Sequence, residues 1–162
     1  MGKIRVTLLG ALAGLAFGSA TAQESGTELC ADFAGANASY NSPFIWQGFG
    51  FEPLPGRNID IDQGIAIVSG RLTILPPIPV NGITVDLRSP GDSTTHDFRL
   101  TAIDGSGANV DQVTANLATS TTVQATLSGV GIVALEVTDT IGGMAYESGV
   151  TKVCIPVTII AR

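Results

Sequence analysis

Gly82-Ile83-Thr84-Val85-Asp86-Leu87-Arg88 decides how the rest of the chain is read. From Ile83 to Arg88 apolar and polar residues take turns. Successive side chains of a strand point to opposite sides, so this is a strand with one face on a core and the other in water. Thr121 to Leu127 repeats the pattern, with Val123, Ala125 and Leu127 on one side. Outward from these two segments, short runs rich in Val, Ile, Thr and Phe recur between Gly, Pro, Asn and Asp, with no amphipathic helix among them. The predicted strands are Leu29–Phe33, Phe44–Phe51, Gly64–Ser69, Leu72–Leu75, Gly82–Arg88, His96–Asp104, Ala108–Asn116, Thr121–Ser128, Ile132–Thr138 and Val150–Ile160. Asp104-Gly105 is a hairpin signal, Pro90-Gly91 and Ser128-Gly129 are turn dipeptides, and Gly142-Gly143 breaks the last hairpin. Pro76-Pro77-Ile78-Pro79 cannot donate to a ladder and reads as an extended connection, while Asn37 to Ser42 and Ser89 to Thr95 read as loops.

The first 22 residues carry a different chemistry. Lys3 and Arg5 precede the uncharged run Val6 to Phe17, and Ala20-Thr21-Ala22 presents small residues before Gln23. This is the pattern of an export signal cleaved after Ala22, and the apolar run is too short to span ~30 Å as a helix. Residues 1–22 are therefore read as a signal peptide and 23–162 as a single domain. No membrane span is expected, and the product is placed in a periplasm or outside the cell. Of 8 Lys+Arg and 14 Asp+Glu, the leader removes two cations, leaving 6 − 14 = −8. That balance argues against a phosphate-binding groove and hence against nucleic acid. One histidine and two cysteines are too few for zinc or iron–sulfur clusters.

Export also bears on the cysteines. Cys30 lies just inside the processed N-terminus and Cys154 near the other end. In an oxidising compartment the expected outcome is a bridge between them, with two free thiols or a link to another chain as the alternatives. Many short strands in one domain predict an all-β antiparallel sandwich. Jelly-roll topology is preferred over an immunoglobulin-like Greek key, because the cysteines sit at the termini with no Trp in the expected core position between them.

The run Pro79-Val80-Asn81-Gly82-Ile83-Thr84-Val85-Asp86-Leu87 leads into Phe98-Arg99-Leu100-Thr101-Ala102-Ile103-Asp104-Gly105-Ser106-Gly107, and Gly131-Ile132-Val133-Ala134-Leu135-Glu136-Val137 follows. Together with Cys30-Ala31-Asp32-Phe33 and Gly48-Phe49-Gly50-Phe51, these segments resemble secreted bacterial jelly-roll domains of the galactose-binding-like type, including those on exported proteins with a PEP-type sorting tail. The chain departs from that group in lacking the tail. The resemblance rests on strand and turn residues. It implies the fold and a carbohydrate- or surface-binding role, and carries over no catalytic residue.

Six of the eight aromatics beyond the leader fall between Phe33 and Phe51: Phe33, Tyr40, Phe44, Trp46, Phe49 and Phe51. On one strand Phe44 and Trp46 would share a face and Phe49 and Phe51 the opposite one, unless a bulge at Gly48 flips the register. Most of this cluster reads as core. The candidate ligand-binding set is Tyr40 and Trp46, stacking on a sugar ring, with Asn37 and Asn41 supplying polar groups. Asn58, Asp60 and Asp62 alternate with Ile59 and Ile61, so their oxygens point one way and form a weak calcium candidate. They fail the twelve-residue calcium-loop pattern, because Gln63 and Ser69 occupy its sixth and twelfth positions, and a solvated strand face is the simpler reading. No cofactor is otherwise expected. His96 lies between Thr95 and Asp97 with no nucleophile-elbow motif to activate, so no catalytic residue is assigned. Asn37-Ala38-Ser39 fits an N-glycan acceptor, and Asn41-Ser42-Pro43 does not. The expected function is non-enzymatic binding of a glycan or cell-surface component. The alternative is a structural or adhesive subunit of an envelope or extracellular matrix that self-associates through an edge strand, since sparse charge leaves edges poorly defended.

Overall fold

The structure, a computed structural model, describes residues 27–89, 95–118, 120–140 and 148–157. The expected leader and its cleavage point, Pro90-Gly91, Gly142-Gly143, Tyr146 and residues 158–160 of the last predicted strand lie outside the described residues.

Among the described residues twelve strands follow one another: β1 (Thr27–Asp32), β2 (Ala38–Tyr40), β3 (Phe44–Trp46), β4 (Phe49–Pro53), β5 (Ile59–Asp62), β6 (Ile65–Ile67), β7 (Arg71–Leu75), β8 (Val80–Arg88), β9 (His96–Asp104), β10 (Asn109–Leu117), β11 (Thr122–Asp139) and β12 (Gly149–Val157). Every pairing is antiparallel, in the order β2-β5-β6-β12-β8-β11-β7-β4-β3. β1 adds to β12 along the edge that β6 leaves open, and the β9–β10 hairpin adds to the far half of β11. The fold is the expected all-β antiparallel sandwich.

Its two layers share one strand. The first half of β11 pairs with β8 (Thr122↔Arg88 to Ser128↔Gly82), and the second half lies between β9 and β7 (Val137 opposite both Leu100 and Leu72). A strand that changes sheets has to bend. Here the register shifts between Ser128 and Ile132, Gly131 takes a φ of +69°, and Val130 is pushed out to 83% exposure. Ser128-Gly129 is therefore a kink inside one long strand and not the predicted turn between two. Side chains close the corner, with Ser128 N–H donating to Asp111 Oδ2 at 2.8 Å and Gly131 N–H donating to Asn81 Oδ1 at 3.1 Å.

A second correction concerns Phe44–Phe51, predicted as one strand. Gln47 and Gly48 both adopt positive φ (47° and 89°), the signature of a two-residue type I′ turn, so the segment folds back as the β3–β4 hairpin. Phe44 then pairs with Phe51 and Trp46 with Phe49, which places all four rings on one face with no bulge. Two further strands fall outside the predicted set, one in the expected loop and one on the segment whose alternation reads as a solvated strand face. β2 runs through the predicted Asn37–Ser42 loop, and β5 carries Ile59 and Ile61 into the core.

The core lies between the layers. Ile83, Val85, Leu87, Val153, Ile155, Ala125 and Leu127 face Phe98, Leu100, Leu135, Val137, Leu72, Ile74 and Phe51, all nearly inaccessible to solvent. Where β12 begins, its pairing with β6 in the same sheet leaves no room for a side chain. A Cβ on Gly149 would overlap the Ala66 carbonyl oxygen and lie 2.8 Å from its carbon.

The β9–β10 turn is held by one carboxylate. Asp104 Oδ1 accepts from Ser106 Oγ (2.7 Å), Ser106 N–H (2.8 Å) and Ala108 N–H (3.0 Å). These bonds, the Ser106 hydroxyl first, hold the Asp104 carboxyl below the usual aspartate range. A carboxyl whose folded-state value is depressed lends stability above its unfolded value and loses it as pH falls through the folded one. The protection of the Ser106 and Ala108 amides, measured as exchange relative to the unstructured chain at the same pH, is thus expected to fall as pH drops below the ordinary aspartate range. Asp104→Asn should remove that pH dependence, and unchanged protection in the acidified wild type would contradict it.

Candidate functional site

The sheet β1-β12-β8-β11 turns its inner face to the core and carries a polar array on the outer one. Register makes the array. Asp32 stands opposite Lys152, Lys152 opposite Asp86, and Asp86 opposite Gln124, so one row crosses all four strands. Two residues along, the next row is Cys30, Cys154, Thr84 and Thr126. A third begins with Glu28 opposite Pro156 and ends with Gly82 opposite Ser128. With strands about 4.8 Å apart, each full row spans roughly 14 Å.

Within the array, Gln124 Nε2 donates to Asp86 Oδ1 at 2.9 Å, and the hydroxyls of Thr84 and Thr126 lie 3.2 Å apart. Both contacts fix side chains that still carry spare donors and acceptors. Glu28, Thr84, Asp86, Gln124, Lys152 and Cys154 surround a shallow pocket of about 120 Å³. The disulfide between Cys30 and Cys154 joins directly opposed residues of β1 and β12 and forms its sulfur-lined side. Two carboxylates, one ammonium, one amide and one hydroxyl thus converge on a rigid sheet, whose strands hold them more firmly than a loop would.

The aromatic residues form a different feature. Tyr40 stacks on Phe44 (centroids 3.8 Å apart), Phe44 on Phe51 (5.3 Å), Phe51 meets Phe33 edge-on (5.1 Å), and Phe33 lies against Trp46 (5.8 Å). β2 and β3 are the two ends of the strand path, so this chain of rings seals the seam where the sheet nearly closes. Trp46 is half-buried, and its Nε1–H donates to the Asp32 carbonyl at 2.9 Å. Gln47 Oε1 accepts from Asp32 N–H at 2.8 Å. Of the expected ligand set, Tyr40 and Trp46 are brought into this seam. Asn37 is exposed and accepts from Gln63 N–H at 2.9 Å, holding the positive φ of Gln63, and Asn41 lies exposed in the bend before β3. None of the four lies in the polar rows.

Asp60 and Asp62 project from β5 into solvent, as the alternation predicts, and Asp60 Oδ1 accepts from Ser39 Oγ at 2.6 Å. Asn58 precedes the strand and is exposed. His96 faces inward, while Asp97 turns outward and accepts from Asn116 Nδ2. The carboxylate near His96 is therefore Asp139, with Nδ1 3.9 Å from Oδ2 and both residues buried. Ser89 and Ser148, also buried, flank the neighbouring strand ends β8 and β12.

On the opposite layer, Pro43, Ile45, Gly50, Leu75, Pro76 and Pro77 line an apolar groove of about 430 Å³ beside β3, with Ile45 exposed to 78%.

No family model matches the chain, and no curated protein matches it. A solved structure described as "CBM4 structure and function" is similar with a TM-score of 0.33 and 12% sequence identity, over 80% of this chain and 86% of that one.

Proposed function

We propose that this chain is a non-catalytic glycan-binding protein whose site is the outer face of β1-β12-β8-β11. The observation that supports the reading is the lateral ordering of Asp32, Lys152, Asp86 and Gln124 beside Thr84 and Thr126. Sugar hydroxyls donate and accept at once. A face offering carboxylate, amide, hydroxyl and ammonium groups at fixed cross-strand spacing answers that chemistry without rearranging. The leader pattern and the disulfide support a role in a periplasm or outside the cell.

A glycan array probed with the processed chain is expected to return binders. For a binder so identified, Thr84→Val and Gln124→Ala should each weaken affinity roughly five- to tenfold, the scale of one hydrogen bond lost to a ligand. Both positions are on the outer face, so thermal unfolding should not move. A silent array, or full affinity in both variants, contradicts the reading.

The apolar groove beside β3 favours a second reading, a structural subunit that docks through this edge. It predicts concentration-dependent species above the monomer in light scattering, lost in Ile45→Asp. A monomer at all concentrations contradicts it.

A further inference from the structure

We infer that the outer face of β1-β12-β8-β11 selects glycans by charge, holding amino sugars most tightly, neutral sugars less so and uronic-acid sugars least. This rests on the glycan-binding reading and extends it to the class of ligand. The pocket between the polar rows is lined by two carboxylates, Glu28 and Asp86, and a single cation, Lys152. Lys152 is set between Asp32 on one neighbouring strand and Asp86 on the other, so its field is offset from both sides. Arg88 lies on the same face two residues beyond Asp86, so the face carries three carboxylates against two cations, and a carboxylate on the ligand would still face an excess of like charge. An ammonium would find Asp86, whose Oδ1 accepts from Gln124. The whole chain, at a formal charge of −6, adds to the same bias.

Shape and charge can be separated with two matched pairs of hexasaccharides. The first is a glucosamine hexamer, at a pH where its amines are protonated, and its fully N-acetylated form. The second is hexagalacturonate and its methyl ester. In low salt, calorimetric titration of the processed chain should show the amine form bound about five- to tenfold more tightly than the acetylated one. The ester should exceed the acid by a similar factor. Both gaps should narrow in 0.5 M salt, as screening shortens the reach of surface charge. Asp86→Asn, which keeps the oxygen that Gln124 holds, should shrink both gaps at unchanged unfolding temperature. Equal affinity within a pair that binds, tighter binding of the acid, or gaps untouched by Asp86→Asn would overturn the charge selection and leave the glycan reading standing. Silence of all four probes together with a silent glycan array would remove both.

Discussion

Replacing Cys30 and Cys154 together with alanine is expected to lower the unfolding free energy by roughly 4 kcal/mol, approaching the chain-entropy limit for so large a ring. The bridge closes 124 residues. Without it, the unfolded chain regains the freedom of nearly the whole described fold, and the folded state loses the cross-link between β1 and β12. Among the described residues that strand pairs with β12 alone, yet it leads directly into Phe33, which touches both Phe51 and Trp46. Loosening β1 therefore also frees Trp46, whose ring nitrogen is bonded to the Asp32 carbonyl. Urea unfolding of the alanine pair should show an earlier midpoint, and its Trp46 emission should shift to the red before the main transition. A loss below about 1 kcal/mol with unchanged emission would mean that the bridge ties together ends already held by packing.

Phe51→Ala is expected to cost about 3–5 kcal/mol, the usual range for removing a fully buried aromatic ring. Phe51 is 0% exposed and occupies the middle of the ring chain, against Phe33 on one side and Phe44 on the other. Its loss opens a cavity at the seam between β2 and β3, where Tyr40 on Phe44 is the ring contact across the gap. Ile45→Ala, one residue from Phe44 but 78% exposed, should change stability by less than about 0.5 kcal/mol and serves as the comparison. Equal effects from the two variants would refute the seam as a packed element.

The alternation from Ile83 to Arg88 was sufficient to find β8 and to say which of its side chains are dry, and His96–Asp104 matches β9 at both ends. Local signals failed where one residue's backbone decides the outcome. Gln47 is not a residue that announces a type I′ turn, so a run of aromatics on both sides of it looks like one strand. Ser128-Gly129 looks like a turn because glycine usually marks one, whereas Gly131 only bends a strand that continues. The pairing of Cys30 with Cys154 was legible from their place near the chain ends. The polar rows were not. Their members Asp32, Asp86, Gln124 and Lys152 are far apart in sequence, and only the register of four strands lines them up. Thr84 and Asp86 were visible as a solvated strand face, and nothing in that pattern separates a binding face from ordinary surface. Tyr40 and Trp46 drew attention as aromatics near a polar loop, but the ends of a closing sheet also need large rings to fill the seam.

Titration of the isotope-labelled chain with an array-identified glycan, followed by two-dimensional amide NMR, tests the placement of the site most directly. The expected result is saturable movement of the Gln124 side-chain amide and of the backbone signals of Thr84, Asp86, Thr126 and Lys152, with Ile45 and Leu75 unmoved. Shifts centred on Ile45 and Leu75, or on Tyr40 and Trp46, with the Gln124 amide still, would contradict it.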